Sequence, residues 1–189
     1  MRILIVGAGG VGGYFGAKLA RAGAGVTFLA RGPHLDAIRR DGLTVRSAAD
    51  GESRVTVDAV ERVSDTAPVD AALLCVKSFD TEAAVEAIRP AIGPETAVLS
   101  LQNGVDNEPK VDAILGPGHA MGGAAYVFAT IESPGVIVHH LAGRIVFGEL
   151  DGVRRPRTER LSEAFRRAGV PAEVSTDIQQ ILWEKYLMI

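Results

Sequence analysis

Apolar runs rich in β-branched residues alternate along this chain with stretches of helical spacing. Arg2–Val6, Gly25–Ala30, Ala71–Val76 and Thr96–Leu101 read as strands. Between them, Gly10–Arg21, His34–Arg40, Thr81–Arg89 and Asn107–Leu115 read as helices. Strands alternating with helices predict βαβ units and a parallel sheet covered on both faces. Right-handed crossovers then give an α/β, doubly wound, mostly parallel sheet.

Two stretches break that rhythm. Leu43–Ser47 and Ser53–Asp58 flank Asp50-Gly51, which reads as a β-hairpin turn. Further on, Gly122–Ile131, Val136–His140 and Arg144–Phe147 read as strands joined by Ser133-Pro134-Gly135 and Ala142-Gly143. They predict an antiparallel extension of the sheet, with a helix over Thr158–Ala168 after it. A last helix starts at Asp177 as its cap and places Ile178, Ile181, Leu182, Leu187, Met188 and Ile189 on its apolar positions. That pattern runs to the end of the sequence with no glycine or asparagine to close it. The expectation is one domain over residues 1–176 and, over 177–189, the first helix of a truncated helical second domain.

Composition narrows the function classes. The chain has 189 residues, 47% of them hydrophobic and 23% charged, and a net charge of -3. A domain of this size buries roughly 70% of the surface its unfolded chain exposes, enough for a real core. The mild acidity gives no electrostatic case for nucleic acid. No apolar run approaches the ~20 residues of a membrane span. The lone Cys75 excludes an intrachain disulfide framework, and with no leader-like start it points to the cytoplasm. The unusual number is 22 glycines.

Part of that glycine has a chemical use. Gly7-Ala8-Gly9-Gly10-Val11-Gly12 fits G-x-G-x-x-G, follows a strand and opens a helix. In a Rossmann-type dinucleotide site Gly7 allows the tight turn, Gly9 the approach of a pyrophosphate and Gly12 close helix–strand packing. Amide groups at the helix start then hold the phosphates. The second strand ends in Arg31, not in the acid that accepts a ribose 2′-hydroxyl in NAD sites, and the next carboxylate in sequence is Asp36. A guanidinium there suits a 2′-phosphate, so the expected cofactor is NADP(H).

Three further residues are candidates for the cleft. Lys77 and Asn103 follow the third and fourth strands, at the carboxyl ends where doubly wound sheets bind ligands. Each reads equally as an exposed lysine or an ordinary Asn103-Gly104 turn. Lys185 falls on the apolar stripe of the last helix with Ile178, Leu182 and Ile189, where a lysine either snorkels or is partly desolvated. Other signals carry less. His139 and His140 are adjacent in a strand and point to opposite faces. Cys75 sits in an apolar strand and reads as inert. Ser78 and Ser100 lack a nucleophile elbow, and Trp183 reads as packing.

These features together resemble the 2-dehydropantoate 2-reductase (ketopantoate reductase) family, in its N-terminal portion. The matching segments are the glycine turn, Arg31-Gly32, Val76-Lys77, Leu101-Gln102-Asn103-Gly104-Val105, Ser133-Pro134-Gly135 and Leu182-Trp183-Glu184-Lys185. The resemblance implies NADPH-dependent reduction of 2-dehydropantoate to pantoate, on the route to pantothenate and coenzyme A. It implies Lys185 as general acid, Asn103 at the substrate and nicotinamide, Lys77 in the cofactor cleft and Arg31 at the 2′-phosphate. A small 2-oxo acid is the implied partner, with a homodimer through the C-terminal domain as a further expectation. The family often carries an asparagine one turn after that lysine; here the position is Ile189. Readings that stay open are another 2-oxo or β-hydroxy acid as substrate, or an NADP(H)-sensing module without chemistry.

Overall fold

The computed structural model describes residues 1–63 and 68–189. Six parallel strands form the centre: β1 (Arg2–Val6), β2 (Gly25–Leu29), β5 (Asp58–Val60), β6 (Ala71–Leu74), β7 (Ala97–Ser100) and β8 (Ala120–Ser133). They run β5-β2-β1-β6-β7-β8, the 3-2-1-4-5-6 order of a Rossmann-type sheet. The order reverses between β1 and β6, which opens a crevice beyond their carboxyl ends. Alternation along β1 shows why both faces are covered. Ile3 and Ile5 join one apolar cluster with Phe15 and Phe28, whereas Leu4 and Val6 join another with Val85, Val98 and Val111.

The helices α1 (Gly10–Arg21), α2 (Gly32–Asp41), α3 (Thr81–Ile88) and α4 (Asn107–Leu115) occupy the expected places, with α1 and α4 matching residue for residue. The expected antiparallel extension is there with two changes. Val136–His140 and Arg144–Phe147 are one strand, β9 (Val136–Glu149), paired with β8. Ala142-Gly143 is a bulge in it rather than a turn, with Ala142 at φ 63° and a register shift against Tyr126 and Val127. Likewise Ser53–Asp58 is two strands. β4 (Gly51–Val55) pairs with β3 (Leu43–Ser47) across the expected Asp50-Gly51 hairpin, while β5 pairs with β2.

That second change has a large geometric meaning. β4 and β5 are the two ends of the strand order, yet only Thr56 and Val57 separate them in sequence. Two linking residues span at most about 11 Å between flanking Cα atoms. The sheet must therefore curl until its edges approach, and α1 lies inside the curl, in contact with β1, β2, β3, β4, β8 and β9. Several glycines answer to this crowding. A side chain on Gly16 would strike Phe28, and one on Gly13 would reach Ile137 at 2.6 Å.

The last elements lie against β8 and β9. α5 (Pro156–Arg167) is fixed by Arg157, which is buried and forms an ion pair with buried Glu149; Thr158 donates to the same carboxylate at 2.8 Å. β10 (Ala172–Val174) pairs with β9. Asp177 caps α6 (Ile178–Met188), its Oδ1 accepting from the Gln180 amide at 3.1 Å. Ile178 and Leu182 pack on Ala124 and Val146 of the sheet. The other side of α6 leaves Trp183, Tyr186, Leu187 and Met188 exposed. Among the described residues no helix is long and apolar enough to cross a membrane.

Candidate active site

The glycine turn shows what each of its residues contributes. Gly7 sits at φ +100°, its amide donates to the Leu29 carbonyl at 3.1 Å, and a Cβ there would meet Val76 at 2.9 Å. A Cβ on Gly12 would run into the Gly7 carbonyl and press on Ile5 and Cys75. Gly10 touches the Ala129 carbonyl of β8, leaving no room for a side chain. Ala8 is buried, and Val11 packs against the main core. Gly9 differs from the rest: a Cβ there meets nothing within 4 Å, so the turn is open on that side. The first amides of α1 have no partner within the helix and carry its positive dipole end. Open backbone, free donors and positive potential fit an anionic phosphate group.

Two cations flank that turn. Lys77 follows the end of β6 and is exposed; its carbonyl accepts from the Asp80 amide at 2.9 Å in the 3₁₀ turn Ser78–Asp80. Arg31 precedes α2 in extended conformation with its guanidinium almost fully exposed. The sequence places no acid at the end of β2, yet the fold brings Asp80 from the turn after β6 to 3.9 Å from Arg31.

Lys185 and Asn103, 82 residues apart, meet. The Lys185 Nζ donates to Asn103 Oδ1 at 3.0 Å. Lys185 is 7% exposed, so it is desolvated rather than snorkelling, and burial holds its pKa below the ordinary lysine value. Its ammonium also lies 5.6 Å from the centre of the Tyr126 ring. Asn103 itself is exposed, ahead of Gly104 at φ +113°.

Behind this pair lies a buried polar network that sequence reasoning missed. Asn107 Nδ2 donates to the Asn103 carbonyl at 3.1 Å. Thr81 Oγ1 lies 3.3 Å from Asn107 Oδ1 and 2.8 Å from the Ser78 carbonyl. Gln102 Nε2 donates to Thr81 Oγ1 at 2.8 Å and to the Val76 carbonyl at 3.1 Å. The turn that presents Lys77 is thus bolted to the loop that presents Asn103. The available signal was Gln102, an amide placed directly after the mostly apolar run Thr96–Leu101. Nearby, burial pushes the Glu108 carboxyl up to about 7.

His139 is buried, its Nδ1 2.9 Å from Ser47 Oγ and its Nε2 2.7 Å from the Ala142 carbonyl, while His140 is exposed. Burial pushes the Cys75 thiol up to about 12, far from a reactive thiolate. Ser100 donates to Gln102 Oε1 at 3.3 Å, and Trp183 is half exposed.

Fold and crevice together define a Rossmann-type α/β protein. Residues 3–152 match the family described as ketopantoate reductase PanE/ApbA, and the chain belongs to that family. It is 35% identical to the 2-dehydropantoate 2-reductase of Pyrococcus abyssi, over 100% of this chain and 61% of the relative. It is 33% identical to an uncharacterised oxidoreductase of Bacillus subtilis, over 100% of this chain and 62% of the relative. The crystal structure of 2-dehydropantoate 2-reductase from Geobacter metallireducens superposes with a TM-score of 0.91 at 36% identity, covering 98% of this chain and 61% of that one. The chain therefore spans about three fifths of the length of these relatives.

Proposed function

We propose that the protein reduces a 2-oxo acid with NADP(H), namely 2-dehydropantoate to pantoate, on the route to pantothenate and coenzyme A. The observation that carries this reading is the contact between buried Lys185 and Asn103 at 3.0 Å. A desolvated ammonium aimed by an amide oxygen is a proton donor, and a passive nucleotide sensor has no use for one.

NADPH, when bound, supplies the hydride that reaches the keto carbon. The turn Gly7-Ala8-Gly9-Gly10-Val11-Gly12 would hold the phosphates, Gly7 by shaping the turn with its amide on Leu29 and the first amides of α1 by donating, with Arg31 for the 2′-phosphate and Lys77 as a further positive charge. As negative charge grows on the carbonyl oxygen, Lys185 stabilises it and then gives up a proton, leaving a 2-hydroxy acid. Burial eases that release by lowering the lysine pKa. Asn103 fixes the direction of the ammonium through Oδ1 and keeps its amide donors for substrate oxygens. In this reading residues 1–176 are the NADP-binding domain and 177–189 begin a helical domain that covers Trp183, Tyr186, Leu187 and Met188. That domain supplies the remaining substrate contacts and the dimer contact.

The test is loss of NADPH absorbance with the full-length protein and a panel of 2-oxo acids. Turnover with 2-dehydropantoate as the best substrate is expected. If that acid is inert while another 2-oxo acid reacts, the substrate assignment is wrong, and Ile189 in place of the family's frequent asparagine is the first residue to question. NADPH binding with no turnover of any acid would favour the sensing module.

A further inference from the structure

His34 joins two elements that are far apart in sequence. It lies in the first turn of α2, partly buried, between the glycine turn and the turn that closes the β8–β9 hairpin. Its Nε2 is 2.8 Å from the Ala8 carbonyl, and the Gly135 amide is 3.0 Å from its Nδ1. An amide N–H only donates and a carbonyl only accepts. Nδ1 must therefore accept, and Nε2 must carry the hydrogen. One neutral tautomer satisfies both partners, whereas an imidazolium would set two donors face to face at Gly135. Burial holds the ring below its ordinary pKa, in keeping with the neutral form. Neither turn contains a titratable side chain.

The Ala8 carbonyl belongs to the same peptide unit as the Gly9 amide. That unit is planar and trans, so its C=O and N–H point in opposite directions. With His34 on the carbonyl side, the Gly9 N–H is aimed away from the ring, and the turn is open at Gly9. The unit runs into Gly9-Gly10, where the backbone is least restrained by its own residues. The β8–β9 hairpin supports the same spot twice, through Gly135 on His34 and through the Ala129 carbonyl against Gly10.

We infer that His34 is a positioning residue of the dinucleotide cradle, holding the Ala8–Gly9 peptide so that its N–H is preset for a pyrophosphate oxygen. This rests on the NADP(H) reading above. Its worth is preorganisation: a donor already aimed needs no ordering when the ligand arrives.

The test compares the wild-type full-length protein with His34→Ala and His34→Gln. Affinity is measured for NADPH and for adenosine 2′-monophosphate, a fragment that keeps the 2′-phosphate and lacks the pyrophosphate. His34→Ala should weaken NADPH binding about ten-fold, the scale of one lost hydrogen bond that aims a charged contact. It should leave the fragment's affinity and kcat at saturating NADPH nearly unchanged. His34→Gln offers an N–H to Ala8 and a carbonyl to Gly135 and should recover most of the loss. Unchanged NADPH affinity in His34→Ala overturns the inference. So does an equal loss for NADPH and fragment, which marks general disturbance of the fold, or a Gln variant as weak as Ala. Failure of the wild type to bind NADPH at all would instead overturn the cofactor reading itself.

Discussion

Lys185 is where charge, burial and reach combine. An ammonium at 7% exposure with an amide oxygen at 3.0 Å is held in one direction and loosened toward proton release. A general acid must be protonated to act, so kcat should fall as pH rises through the Lys185 pKa. Because burial lowers that pKa, the fall should begin at a lower pH than the ordinary lysine value of 10.5 allows. A pH–rate profile checks this; a rate flat through that range argues against a lysine acid. At the other end of the cleft Asp80 shares Arg31. A carboxylate repels a 2′-phosphate and competes for the guanidinium. Asp80→Asn should raise the preference for NADPH over NADH a few-fold, a modest effect because both groups are solvated. Arg31→Ala should lower it. Paired binding titrations of the two nucleotides measure the ratio.

At the level of elements, two buried ionisable sites set stability in opposite ways. The Arg157–Glu149 pair ties α5 to β9, and truncating Arg157 to alanine leaves the buried carboxylate only Thr158 and, at 3.4 Å, Arg155. The expected loss is about 2–3 kcal/mol in chemical denaturation, below that of a wholly unpaired buried charge. Glu108, in the first turn of α4, carries a carboxyl raised from 4.5 to about 7 by burial. Between those values the native state holds a proton that the unfolded chain has released. Stability therefore falls as pH rises through this window and is lowest above it. Glu108→Gln should stabilise the protein by about 1–3 kcal/mol at pH 8 and change little at pH 4.5, read by thermal melts at both pH values. The sequence made some elements legible and hid others. β1 was legible as a short apolar run ending at the glycine turn, and α1 and α4 as stretches of helical spacing between strands. Ala142-Gly143 looked like a turn because a bulge and a turn recruit the same residues. The break at Thr56-Val57 was invisible because pairing at opposite sheet edges is a property of the curl, not of local pattern.

For the whole molecule, the curl around α1 decides where the site can be. It draws the β8–β9 hairpin over the start of α1, so the glycine turn is held by Gly10 against Ala129 and by His34 against Gly135. It also carries α6 on β8 and β9, which brings Lys185 over the loop after β7. The candidate residues could be named one by one from strand ends and a helical stripe. Their meeting could not, because Lys185 and Asn103 are 82 residues apart and their support comes from Gln102 and Asn107 on either side of Asn103 and from Thr81 on α3. In the proposed reaction this meeting performs proton transfer. The most direct measurement is Lys185→Ala in the full-length protein, with NADPH affinity and 2-dehydropantoate reduction followed side by side. Ile178 and Leu182 continue to anchor α6 in that variant. Proton transfer from Lys185 requires that this variant keep NADPH affinity close to wild type and lose about 100-fold or more in rate, and that is the predicted result. A variant that reduces the acid at the wild-type rate contradicts it.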